Sequence, residues 1–165
     1  MMRLTELKKI AKQSGFVEQM RDVGFTLGPD SFWFYRERGD FIDLFTFWIK
    51  SSGNWFEVPL YCLHKAHVEH CDMSLFPKGF MKGIPNLFDK TVQTRDLDKG
   101  KNWEMQDEQQ AINTLNDLAN VFKKKAEPWF SAIDTNQKLH DSYSLRFQGS
   151  ERAIRLSGID NNGKA

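Results

Sequence analysis

The sequence predicts an α+β fold, an antiparallel meander sheet of three to five strands packed against an N-terminal helical segment and one long C-terminal helix. Three observations carry that prediction. Residues 31–64 are β-branched and aromatic runs parted by two short glycine-ended separators, apolar residues recur at helical spacing before them, and a second helical stripe runs from Gln106 to Ala126. The 165 residues suit a single domain, 1–165, large enough to bury a core, with 155–165 expected as a frayed tail.

Leu4, Leu7, Ile10 and Ala11 share a helical face, and Phe16, Val17 and Met20 continue it after Ser14-Gly15. This reads as one broken helix or two short ones ending at Val23-Gly24. Gly24, Gly28 and Pro29 then stop the helix and lead into extended chain. "SFWFYR", "DFIDLFTFWIK" and "WFEVPLYCL" are the strands, and "ERG" and "SSG" between them suit three-residue hairpin loops with a left-handed glycine at the end.

That reading sets a register. Arg36 is expected opposite Asp40, Phe34 beside Ile42, Lys50 opposite Asn54 and Leu44 beside Leu60. One face then carries Phe32, Phe34, Ile42, Leu44, Trp48, Phe56, Val58, Leu60 and Cys62 and packs under helices. Arg36, Glu37, Arg38 and Asp40 become solvated turn residues. Pro59 has no ladder donor, so the third strand is expected at an edge or bulged. "TVQTRDL" and "NWEM" can each add a short strand. The helix from Gln106 carries Ile112, Leu115, Leu118, Ala119, Phe122 and Ala126 on one stripe, has Lys123, Lys124 and Lys125 at a solvated end, and is stopped or kinked by Pro128 before "PWFSAI".

Lys plus Arg number 23 against 22 for Asp plus Glu, a formal charge of +1. That balance gives no electrostatic case for nucleic acid or an anionic membrane. No apolar run approaches the roughly 20 residues of a membrane helix. The charged start lacks the apolar stretch of a secretory signal, and Cys62 and Cys71 are expected as reduced thiols, so the expected compartment is the cytoplasm.

"GFTLGPDSFWFYRERGDFIDLFTFWIK", "WFEVPLYC", "QTRDLDKGKNWEMQDEQQAINTLNDLANVF" and "KKKAEPWF" together carry a resemblance. Over roughly residues 16–130 the chain resembles the small bacterial proteins grouped as domain of unknown function 4304. The matching positions are Gly24-Phe25, Phe34 to Arg36, Arg95, Trp103 and Pro128-Trp129, with Asn102-Trp103 where the family often has paired tryptophans. The resemblance implies an α+β fold, no assigned activity, and an immunity or antitoxin role beside toxin genes.

Two groups of residues are candidates for function. The other sheet face carries Trp33, Tyr35, Asp43, Phe45, Trp55, Glu57 and Tyr61. Tryptophan and tyrosine give large contact area at low entropic cost, and the acids can select a basic protein partner. Alternatively Phe76, Phe80, Leu87 and Phe88 fold back over that face. The second group lies in "YCLHKAHVEHCD", the Cys62–Asp72 segment, where His64, His67, His70 and Cys71 are suitable zinc ligands but follow no established zinc spacing. The sequence therefore points to a non-catalytic bacterial protein-binding domain, an immunity or antitoxin type acting by steric occlusion, without cofactor. The alternative is a small-molecule or zinc-binding domain, possibly enzymatic, built on residues 62–72.

Overall fold

The computed structural model describes residues 1–67, 73–78, 92–93, 97–98, 103–143 and 145–159. Its fold is α+β, with helices and two antiparallel sheets. The N-terminal segment forms two helices, α1 (Leu4–Gln13) and α2 (Phe16–Asp22), parted by Gly15 at φ +86°. Their apolar stripe buries Leu7, Ile10, Ala11, Phe16, Val17 and Met20.

The first sheet has the order β1 (Thr26–Leu27), β2 (Trp33–Arg38), β3 (Phe41–Thr46), β6 (Pro59–His64) and β7 (Val92–Gln93). The second has the order β4 (Trp48–Ile49), β5 (Trp55–Glu57) and β8 (Trp103–Glu104). The pairs Phe45 with Leu60 and Trp48 with Glu57 belong to one continuous register, so β3–β4 and β5–β6 are two halves of one long hairpin. Its ladder is interrupted at Pro59, which has no N–H to donate. Pro59 opens an interior strand, so the expected edge position is corrected.

The register differs from the sequence expectation at both turns. Arg38 pairs with Phe41 across a two-residue Gly39-Asp40 loop, which places Arg36 opposite Asp43 and Phe34 opposite Phe45. Gly39 stands at φ +58°, and a left-handed first loop residue is the arrangement that glycine opens in a tight hairpin. The second loop runs from Ser51 to Asn54, with the Lys50 amide donating to the Trp55 carbonyl at 3.0 Å. Both shifts are odd, and an odd shift turns a strand over. The segment 41–49 is therefore inverted relative to its neighbours. Phe41, Asp43, Phe45 and Phe47 join Phe34, Leu60 and Cys62 under the helices, whereas Ile42 and Leu44 face the other way and Trp48 stands outside at 41% exposure.

Two apolar clusters result. The larger joins the helices to the sheet, with Phe34 stacked on Phe45 at 4.8 Å and Phe45 against Phe122 at 4.6 Å. The smaller, on the opposite face, is Trp33, Ile42, Leu44, Tyr61 and Leu63, with Tyr35, Met73 and Phe76 packed against it.

The long C-terminal helix is α3 (Glu108–Val121), continued by a π turn (Phe122–Ala126) into α4 (Glu127–Ala132). The Asp107 side chain caps it, accepting from the Gln110 amide at 2.8 Å. Pro128 neither stops nor replaces the helix. Proline cannot donate to the carbonyl four residues back and its ring crowds that carbonyl. Here the Glu127 amide bonds to Phe122 O, five residues back, and the widened turn lets the helix run through the proline. Lys123, Lys124 and Lys125 are exposed on that turn, whereas Phe122 and Ala126 are buried.

Three short helices follow: α5 (Asn136–Asp141), α6 (Leu145–Gln148) and α7 (Glu151–Leu156). Leu156 and Ser157 are buried, so the part of the expected frayed tail that the structure describes is packed. Among the described residues, no helix is long and apolar enough to cross a membrane.

Candidate functional site

The structure corrects the contact surface expected from Trp33, Tyr35, Asp43, Phe45, Trp55, Glu57 and Tyr61. Trp33, Asp43, Phe45, Glu57 and Tyr61 are buried, and Tyr35 and Trp55 are partly buried. Asp43 and Phe45 lie under the helices because β3 is turned over. Trp33, Tyr35 and Tyr61 remain on the opposite face, where the segment at 73–76 covers them and the Phe76 ring meets Tyr35 edge-on at 4.9 Å. Phe80, Leu87 and Phe88 lie outside the described residues.

The inversion of β3 creates a buried ionic cluster. Asp43 has no exposed surface and accepts hydrogen bonds from two arginines. Arg36 Nε and Nη2 reach Oδ2 at 3.1 and 2.8 Å, while Arg38 Nε reaches Oδ2 at 2.8 Å and its Nη2 reaches Oδ1 at 3.0 Å. Arg36 Nη1 also donates to Glu127 Oε2 at 2.7 Å and to Val23 O at 3.0 Å, and Arg38 Nη1 donates to Ile133 O at 2.7 Å. Phe25 lies under the Arg36 guanidinium at 4.5 Å. The two positive and two negative charges cancel, and each acid is met by directed donors, which a buried charge requires.

Arg36 and Arg38 were expected at a solvated tip. They are instead on the core side because Gly39-Asp40 alone makes the loop, so residues 36 and 38 stay in the strand on the same side as Asp43. The alternation of Arg36, Arg38, Asp43 and Cys62 was visible in the sequence, but only the correct loop length aligns it.

Cys62 completes this cluster, its sulfur 3.8 Å from Arg38 Nη2. Burial and then the Asp43 charge push its thiol well above the usual range, outweighing Arg38. It is held as a thiol, the unreactive form. For Arg38 burial acts downward, but the hydrogen bond and charge of Asp43 prevail and hold its guanidinium charged. The cluster ties the sheet to α4 and to the chain leaving it.

The proposed zinc ligands divide. His64 ends β6, takes the Ala66 amide on Nδ1 at 3.2 Å and lies edge-on to Phe41. His67 ends a short 3-10 turn, Lys65–His67. His70 and Cys71 lie outside the described residues. Among the described residues, no three metal-ligating side chains gather.

The outer face of the second sheet brings together a different set. Trp48 pairs with Glu57 and Trp55 with Glu104, so Trp48, Lys50, Trp55, Glu57 and Glu104 share one face. Ile49, Phe56 and Trp103 turn to the core side. Lys50 Nζ lies 4.9 Å from the Trp48 ring centre, 5.3 Å from that of Trp55 and 3.0 Å from Glu57 Oε2. The lysine is thus held between two indoles and capped by a carboxylate. A cavity of about 390 Å3 adjoins it, lined by Ser52, Asn54, Trp55, Glu104 and Gln106. Sequence reasoning found Trp55 and Glu57 but placed Trp48 in the core.

Compared with known proteins, the chain matches no family model, no curated protein and no solved structure.

Proposed function

We propose that this chain is a non-catalytic binding domain for a protein partner, of the immunity or antitoxin kind suggested by the resemblance above, and that it acts by steric occlusion. Its contact surface is the outer face of the second sheet. One observation supports this most: Trp48 is exposed and stands beside a half-buried Trp55, with Lys50 between the rings. Tryptophan is the residue most enriched where binding energy concentrates, and a pre-ordered pair loses little entropy on contact.

The test is capture of a partner from the source cells by the tagged full chain, repeated with Trp48→Ala plus Trp55→Ala. A stoichiometric partner is expected with the native chain and not with the double variant, whose circular dichroism stays native. Retention of the partner by the folded double variant, or no partner at natural expression levels, refutes the reading.

A further inference from the structure

We infer that the cavity beside Trp55 receives an arginine side chain of the partner protein. The inference rests on the partner-binding reading above and adds the chemistry of the contact. Trp55 and Glu104 are directly paired across β5 and β8, so their side chains rise side by side from one face. Both line the cavity.

Glu104 is exposed, and no cation pairs with it among the described residues. The one hydrogen-bond contact of its carboxylate there is Gln110 Nε2, at 3.5 Å. Its backbone is nevertheless fixed, because Thr114 Oγ1 donates to the Glu104 carbonyl and the Met105 amide donates to Asn54 O at 2.8 Å. A carboxylate with unused acceptor capacity therefore stands in a set position next to an indole.

The molecule already shows how this face holds a cation. Lys50 rests against Trp48 and Trp55 and is capped by Glu57. Glu104 is placed to cap a second cation beside the same Trp55. Arginine fits better than lysine for two reasons. Its planar group stacks on an indole, and its five donors can be shared among Glu104 and the side-chain oxygens of Ser52, Asn54 and Gln106. A cavity near 390 Å3 suits one side chain of an approaching chain and is at the small end for a free ligand.

The test uses the full chain labelled with 15N and three capped tripeptides, Gly-Arg-Gly, Gly-Lys-Gly and Gly-Glu-Gly, with maltose as a neutral probe. The arginine peptide is expected to move the Trp55 indole N–H and Glu104 amide resonances saturably, the lysine peptide more weakly, and the acidic peptide and maltose not at all. Glu104→Gln, a surface change that keeps the spectrum native, is expected to weaken the arginine peptide by about tenfold or more.

An unmoved Trp55 resonance, equal affinity in Glu104→Gln, or a saturable response to maltose overturns the inference. A captured partner that is lost with the tryptophan pair but kept by Glu104→Gln also overturns it, and leaves the binding reading standing. An arginine response that Glu104→Gln removes, in a chain that captures no partner, supports the site and refutes the earlier reading alone.

Discussion

Replacing Asp43 by asparagine keeps the shape of the side chain and removes the charge on which two arginines converge. The carboxylate accepts four hydrogen bonds from guanidinium groups at 2.8–3.1 Å. After the change Arg36 still has Glu127 and Val23 O, so the loss falls mainly on Arg38, which keeps Ile133 O and the Cys62 sulfur. Removing one partner of a buried ion pair costs about 3–5 kcal/mol, because the remaining charge is left in a poor solvent. Arg38 retains 25% side-chain exposure, and water offsets part of that loss, so the lower end, about 3 kcal/mol, is expected. With a urea slope of about 2 kcal/mol/M, the unfolding midpoint falls by about 1.5 M at unchanged slope. A second arm combines Asp43→Asn with Glu127→Gln, where non-additivity is expected because both acids hold Arg36. A midpoint shift below about 0.3 M, with the native slope, would refute the view that this cluster ties the sheet to α4.

Other changes probe separate parts of the same account. Tyr143 is buried, and its hydroxyl has no hydrogen-bond partner among the described residues, so Tyr143→Phe is expected to raise stability at pH 7 by about 1 kcal/mol in urea unfolding. Lower stability would show that the hydroxyl is satisfied. Burial also raises the phenol pKa of Tyr143 above its ordinary 10.0, so the folded state keeps a proton that the unfolded chain gives up first. The tyrosine's contribution is complete below pH 10 and shrinks as pH rises above it, and Tyr143→Phe should flatten that alkaline loss above pH 10. Gly28→Ala would place a methyl carbon 2.3–2.7 Å from three atoms of the buried Trp33 indole, whose N–H donates to Asp30 at 3.2 Å. A loss of about 2 kcal/mol and a changed near-ultraviolet dichroism are expected, and native values for both would contradict the packing. In a Cys71→Ser chain, Cys62 is expected to resist a disulfide reagent at pH 8 until urea unfolds the protein, and prompt reaction of the native chain would contradict its buried thiol.

The sequence by itself determined the kinds of element and most of their places. Helical spacing located α1, α2 and α3, aromatic runs located β2 to β6 but not β1, and both "TVQTRDL" and "NWEM" supplied a short strand. Local pattern suffices there because helix and strand periodicities are properties of neighbours in the chain.

The facing of β3 was not legible, and the candidate sites depended on it. Residues 41–49 are apolar on both sides, with Phe41, Phe45 and Phe47 alternating against Ile42 and Leu44, so burial alone does not tell which side meets the helices. Loop length decides it, and "ERGDF" suits a three-residue turn or the two-residue Gly39-Asp40 turn that forms. Tertiary structure made the choice. In the observed register the buried Asp43 meets Arg36, Arg38 and, through Arg36, Glu127 from the far helix. The expected pairing would have set that acid on the other face, away from both arginines. The same turn brought Trp48 out of the core to stand with Lys50 and Trp55, because an odd shift reverses every side chain of a strand together.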